Sequence, residues 1–188
     1  PRYHDAGHSR VRQSQRRQLH DATEPLASLR NERVALYFQP IRELEDATAA
    51  DPHALTGEVL CRLLDERGEI MAPARFMAPL EAAGRGAELD LAVMRALFRL
   101  LRKSPDALPH CREIAINLTG QSLASMSFQV ELRTLLAGSP LPMSALCFEV
   151  TETAAISNTS AASHLLADLR ALGCRIAIDD FGTGMQSF

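Results

Sequence analysis

A chain of 188 residues, 46% hydrophobic and 23% charged, has the length and composition of one globular domain with a sizeable core. Its net charge of -3 argues against a general nucleic-acid surface, so DNA is not an expected partner. No apolar run reaches the roughly 18 residues of a membrane span, and the polar, basic opening residues do not read as a secretory signal.

Cys61, Cys111, Cys147 and Cys174 lack the close spacing of a zinc or redox motif. Cys61, Cys147 and Cys174 fall in or beside strand-like runs and read as buried thiols, and reduced cysteines fit a cytoplasmic location, with tethering of a larger parent to a membrane left open. His4 and His8 are four apart, as helical metal ligands are, but a solvated linker face accounts for them.

Residues 1–33 form a basic leader, with Arg2, Arg10, Arg12, Arg16, Arg17, Arg30 and Arg33. Leu19, Ala22, Leu26 and Leu29 recur at roughly helical spacing and suit docking on a domain; Pro25 is expected to break that helix. Such a leader suggests a chain cut from something longer. Residues 34–188 read as the domain proper. Val34–Gln39 is a strand closed by Pro40, and Thr56–Leu64 a second strand with Glu58 and Arg62 among apolar residues. Gly68 makes a turn. Ala72-Pro73 opens a helix with Phe76, Met77 and Leu80 that ends at Gly84.

Ala87–Leu101 is an amphipathic helix with Leu89, Val93, Leu97 and Leu100 as its expected core stripe. Glu113–Leu118 is a third strand. A helical stretch with Leu123, Met126, Val130, Leu132 and Leu135 follows and stops at Gly138. Leu146–Val150 is a fourth strand, leading into Thr151-Glu152-Thr153. Ser160–Leu172 is a helix capped by Ser160, with Leu165, Leu166, Leu169 and Leu172 toward the core and Gly173 ending it. Arg175–Ile178, apolar on both faces, reads as a fifth strand buried between two layers. Strands alternate with helices from the second strand onward, which implies βαβ units and a parallel sheet.

Glu58, Asn117, Glu149 and Asp179 each stand at or near a strand exit, and Asp180 follows Asp179. The carboxyl ends of parallel strands meet on one face, where α/β folds bind ligands. Gathered carboxylates repel one another and call for a cation. An all-oxygen set selects a hard one: magnesium, manganese or calcium. Each acid can instead be a separate hydrogen-bonding feature, and Asp179-Asp180 an ordinary solvated turn. Arg62, four residues after Glu58, shares its face of the strand. It suits either a phosphate oxygen or a structural ion pair. Gln39, at the exit of the first strand, suits either a ligand contact or a loop cap. Asp180-Phe181-Gly182 is the magnesium-binding tripeptide of protein kinases, but no His-Arg-Asp loop or Gly-rich phosphate loop accompanies it, which excludes that reading.

From Val34 to Phe188 the chain resembles the EAL domains that hydrolyse cyclic di-GMP. Tyr37-Phe-Gln-Pro-Ile41 resembles the family's opening strand, and Glu58-Val59-Leu60 its Glu-Ala-Leu, with Arg62 at the matching distance. Pro73, Phe76 and Glu81 fit the next helix, and Leu89-Asp90 the one after. Asn117-Leu118-Thr119 matches Asn-Leu-Ser, Glu149-Val-Thr-Glu152 matches Glu-x-Thr-Glu, and Asp179 to Gly184 matches Asp-Asp-Phe-Gly-Thr-Gly.

The resemblance implies an α/β, TIM-like barrel with its first strand antiparallel. It implies that Glu58, Asn117, Glu149 and Asp179 hold one Mg2+ or Mn2+, and that Asp179 bridges to a second ion that Asp180 also binds. Glu152 would anchor the loop starting at Asp179. Arg62 would bind phosphate, and Gln39 and Asp90 would contact the nucleotide. Glu58, Glu152 and Asp180 would form the catalytic group, the two metals activating water to open cyclic di-GMP to the linear dinucleotide.

After Gly184 the family has Tyr-Ser-Ser where this chain has Met185-Gln186-Ser187, a change expected to weaken the loop between the metal site and the dimer face. The family also continues for three strands bearing a Lys, a Glu and a Gln, positions this sequence does not contain. An incomplete barrel, inactive alone and prone to homodimerisation or other self-association through open strand edges, is therefore expected. The leader resembles the linker that joins a GGDEF-type domain to an EAL domain. A degenerate domain that senses cyclic di-GMP, and a non-catalytic dimerisation platform, are the alternative readings.

Overall fold

The computed structural model describes residues 21–42, 54–156 and 160–179. Expectations for His4, His8, Leu19 and most of the basic leader lie outside the described residues. So do those for Asp180, the Gly-Thr-Gly turn and Met185-Gln186-Ser187.

The chain runs α1 (Thr23–Arg30), β1 (Val34–Pro40), β2 (Leu55–Leu64), β3 (Ile70–Met71), α2 (Pro73–Ala82), α3 (Gly86–Lys103), a 3-10 turn (Pro105–His110) and β4 (Cys111–Leu118). It continues with α4 (Gly120–Ala124), α5 (Met126–Ala137), β5 (Leu146–Thr151), α6 (Glu152–Ile156), α7 (Ser160–Ala171) and β6 (Arg175–Asp179). The sheet order is β1-β2-β4-β5-β6, with the two-residue β3 hairpinned onto β2. β1 is antiparallel to β2; β4, β5 and β6 extend the sheet in parallel. This is the mixed sheet of an incomplete TIM-like barrel, with the antiparallel first strand that the family pattern implies.

Alternation along the strands divides the sheet into two faces. Val59 and Leu63 of β2, Ile116 of β4 and Phe148 of β5 are buried and meet Phe76, Leu80, Met94, Phe98, Phe128 and Leu165 of the helices in one core. Each fully buried Phe or Leu there contributes about 1.5–3 kcal/mol of transfer free energy. In register, Glu58 stands opposite Gln39 and Ala115, Asn117 opposite Glu149, and Glu149 opposite Ala177. Cross-strand partners share a face, so Gln39, Glu58, Asn117, Glu149 and Asp179 project from one side of the sheet.

Several expectations are corrected. β6 is paired on one side only among the described residues, and Ile178 is 51% exposed. A strand with one neighbour cannot be covered in the way its two apolar faces suggest. Leu100 and Leu172 are also half exposed. The α3 stripe runs instead through Leu89, Val93, Met94, Leu97, Phe98 and Leu101, which leaves Leu100 off its edge. Pro25 does not break the leader helix: α1 begins at Thr23, so Pro25 sits in the first turn, where its missing N–H costs no hydrogen bond. The helical stretch after β4 divides at Ser125, whose hydroxyl accepts from the Phe128 N–H and caps α5.

α1 packs against the domain. Ala22, Ser28 and Leu29 are buried, and the Ser28 hydroxyl donates to the Leu64 carbonyl at 2.7 Å. Arg33 Nε donates to the same carbonyl at 3.2 Å. Ion pairs Arg75–Glu24 and Arg99–Glu32 flank the contact. Among the described residues no helix is long and apolar enough to cross a membrane. All four cysteines are free thiols.

Candidate functional site

β2 does not end at Glu58 but runs on to Leu64, so Glu58 lies inside the strand rather than at its exit. Gly57 makes this possible: a Cβ there would lie 2.2 Å from the Gln39 carbonyl oxygen. A glycine at that point lets β1 approach closely and places Gln39 directly across from Glu58. Asn117 is the penultimate residue of β4, Glu149 the fourth of β5, and Asp179 the last of β6.

Asn117 Nδ2 donates to Glu58 Oε1 at 2.5 Å. Burial raises the Glu149 carboxyl above its usual pKa, and the charges of Glu58, Asp179 and Glu113 push it further the same way. The face therefore carries a negative potential that a cation relieves. Among the described residues, no three His, Cys, Asp or Glu side chains by themselves form a metal-holding cluster. Asn117 stands between Glu58 and Glu149, and Asp180 lies outside the described residues. The donor set is all oxygen, which fits a hard divalent ion.

Arg62 lies on the same face as Glu58, four residues on. Its guanidinium sits over the Tyr37 ring, 5.4 Å from the centroid, and Nη1 donates to the Cys61 carbonyl at 2.7 Å. Among the described residues it pairs with no carboxylate, so the structural ion pair that its position also suggested is not made. The aromatic face holds a flat cation that still has donors to offer. Arg62, Asp90 and Asn117 all border a cavity of about 300 Å³ that also reaches Phe76, Leu89 and Thr119. Cys61 borders it too, but burial pushes its thiol to about 12, which leaves it without thiolate character.

Asp90 is 4% exposed. Its Oδ2 accepts from the Thr119 N–H at 2.7 Å, the Thr119 hydroxyl at 3.0 Å and the Ser122 hydroxyl at 2.6 Å. Burial raises its pKa to about 6 against the opposing pull of those three bonds. Glu152 opens α6 and is half buried. It directly follows Thr151, the residue that pairs in register with Asp179.

The structure thus brings Glu58 and Asn117 into contact and sets Arg62 and Asp90 around a cavity with Asn117. It holds Gln39, Glu149 and Asp179 on the Glu58 face. The parts that Gly86, Gln121 and Ser122 play were not apparent in the sequence. One signal for Ser122 was present, a Thr119-x-x-Ser122 spacing directly after a strand. Thr119 is indeed the N-cap of α4, its hydroxyl accepting from the Ser122 N–H.

The family described as the EAL domain matches residues 17–188. The chain is 36% identical over 156 residues to cyclic di-GMP phosphodiesterase PdeB of Shewanella oneidensis, covering 82% of this chain and 18% of that protein. It is 36% identical over 131 residues to cyclic di-GMP phosphodiesterase PdeF of Escherichia coli, covering 70% of this chain and 17% of that protein. It therefore spans less than a fifth of either relative. Its fold is similar to the FimX EAL domain from Pseudomonas aeruginosa bound to c-di-GMP, with a TM-score of 0.73, 28% identity, and coverage of 88% of this chain and 64% of that one. It is also similar to the PaMucR phosphodiesterase in its c-di-GMP complex, with a TM-score of 0.70, 28% identity, and coverage of 91% and 66%.

Proposed function

The chain belongs to the EAL-domain family, and we propose that it binds cyclic di-GMP over the Glu58 face of the sheet and supplies residues for its hydrolysis to the linear dinucleotide. The observation that supports this reading is the register that sets Glu58, Asn117, Glu149 and Asp179 on one face of four successive strands.

In this reading those four residues hold a divalent ion, Mg2+ or Mn2+. Asp179 and Asp180 would hold a second. The ions, when bound, acidify a water and draw charge from the phosphate. Arg62, steadied by Tyr37 and the Cys61 carbonyl, donates to a phosphate oxygen. Gln39, beside Glu58, contacts the nucleotide. Glu152 anchors the start of the loop after Asp179, because its neighbour Thr151 is already paired there. The domain works in the cytoplasm, where cyclic di-GMP is a messenger.

The test is calorimetric titration of the chain with cyclic di-GMP in Mn2+ and in chelator, with the products followed by chromatography. Metal-dependent binding that Glu58→Gln and Asn117→Ala each weaken tenfold or more supports the reading. Binding absent from the wild type, or unchanged in both variants, would refute it. In a second reading the domain senses cyclic di-GMP without turnover, and metal-independent binding with intact ligand recovered supports it.

A further inference from the structure

Asn117 owes its place to the turn that follows it. That turn, from Leu118 into α4, is fastened to α2 and α3 by side chains outside the proposed ion-holding set. Asp90 Oδ2 takes the three hydrogen bonds from Thr119 and Ser122. One helical turn earlier on α3, Gly86 faces Thr119: a Cβ there would lie 2.6 Å from the Thr119 hydroxyl oxygen. Only a residue without a side chain lets α3 come so near. Gln121 completes the fastening, its Oε1 accepting from the Gly86 N–H at 2.8 Å and its Nε2 donating to the Glu81 carbonyl at 2.6 Å.

Resting on the reading of the site given above, we propose that Asp90 is a positioning residue. By gripping Thr119 and Ser122 it fixes the exit of β4, so that the Asn117 amide is presented beside Glu58 for the ion. The grip is directional. A buried carboxylate with three donors on one oxygen cannot move without leaving polar groups unpaired. Thr119 is two residues beyond Asn117, so a shift of the turn is passed to the Asn117 side chain through one intervening residue, the buried Leu118.

The test measures Mn2+ affinity for the wild type, Asp90→Ala, Asn117→Ala and the double variant, by titration and by the electron paramagnetic signal of free Mn2+. Asp90→Ala is expected to weaken Mn2+ binding about tenfold. In the Asn117→Ala background the same change is expected to cost less than about twofold, because no amide remains to misplace. Its lowering of the unfolding temperature persists in both backgrounds, which separates positioning from general damage. Wild-type affinity in Asp90→Ala, or an equal loss in both backgrounds, overturns the proposal. Should Asp90→Ala not fold, Thr119→Val takes its place: it is expected to lose affinity in the same non-additive way, with Thr119→Ser at wild-type strength. Thr119→Val binding as the wild type does overturns the proposal. A wild type that binds no Mn2+ removes the reading of the site itself, and this inference with it. Mn2+ that binds but ignores Asp90 removes this inference alone.

Discussion

Asn117 donates to Glu58 across the β2–β4 boundary at 2.5 Å, although the register sets Glu58 against Ala115 and not against Asn117. The bond is a diagonal one between side chains two positions apart on a shared face. It ties the Asn117 amide to Glu58, while burial and the charges of Glu58, Asp179 and Glu113 act on Glu149 on the next strand. Charge, more than geometry, governs how this face responds to substitution.

Glu149→Gln is expected to stabilise the ion-free protein at neutral pH by less than about 1 kcal/mol, because Glu149 keeps considerable solvent contact. The sign follows from its raised pKa. The folded state binds the Glu149 proton more tightly than the unfolded chain does. The stability from this group is fullest below the ordinary value of 4.5 and is lost as pH rises through the folded value. The advantage of the glutamine should therefore grow from pH 4 toward 7. Urea titrations across that range check it; an advantage that shrinks with pH contradicts the charge argument.

Asp90 gives a larger effect of the same sign. Its ordinary value of 3.8 rises to about 6 in the fold. Its contribution is present below about pH 4 and is given up as pH climbs to about 6, by on the order of 2–3 kcal/mol. Asp90→Asn removes that slope and nearly keeps the shape. The difference in unfolding free energy between wild type and Asp90→Asn should fall between pH 4 and 7. Parallel stability curves for the two proteins would show that the carboxyl titrates normally.

Much of this architecture was legible in the residues, and what escaped did so for physical reasons. The strand–helix alternation and the oxygen-bearing strand positions follow from local pattern and residue type. The burial of β6 does not, because Ile176, Ala177 and Ile178 report an apolar strand but not how many neighbours it has. Leu100 reads as core by spacing alone, yet α3 is wide enough in its apolar face that Met94, Phe98 and Leu101 take the contacts. The Asp90 grip spans 29 and 32 residues of sequence, and only the packing of α3 on α4 reveals it. Its local trace was an acid at position 90 between Leu89 and Leu91 on a face that should have been apolar.

Two glycines offer a test of close approach. Alanine within a helix normally gains about 1 kcal/mol over glycine. At Gly86 the new Cβ meets the Thr119 hydroxyl at 2.6 Å, and at Gly57 it meets the Gln39 carbonyl at 2.2 Å. Gly86→Ala and Gly57→Ala are each expected to destabilise by about 1–3 kcal/mol. Gly57→Ala should be the costlier, because its nearest obstacle is backbone. Thermal unfolding of both variants decides it; a Gly86→Ala protein more stable than the wild type would mean that α3 does not press on the turn.

Ser28 carries the last prediction. It is fully buried, and its single O–H donates to the Leu64 carbonyl at 2.7 Å, with the Glu24 carbonyl at 3.1 Å sharing the same hydrogen. Arg33 supports the same Leu64 carbonyl. Leu64 lies two residues beyond Arg62, so α1 is fixed to the strand that carries both Glu58 and Arg62. Ser28→Ala removes a buried donor but leaves Arg33 on the acceptor, and is expected to cost about 1 kcal/mol. Adding Arg33→Ala strands the carbonyl, and the double variant should lose more than the two single losses combined, since both act on one oxygen. Hydrogen exchange at the amides of residues 62–64 checks where the loss falls. Faster exchange there in the double variant than in either single one is expected. Uniform acceleration across the sheet would instead mean that α1 supports the domain as a whole and not the end of β2.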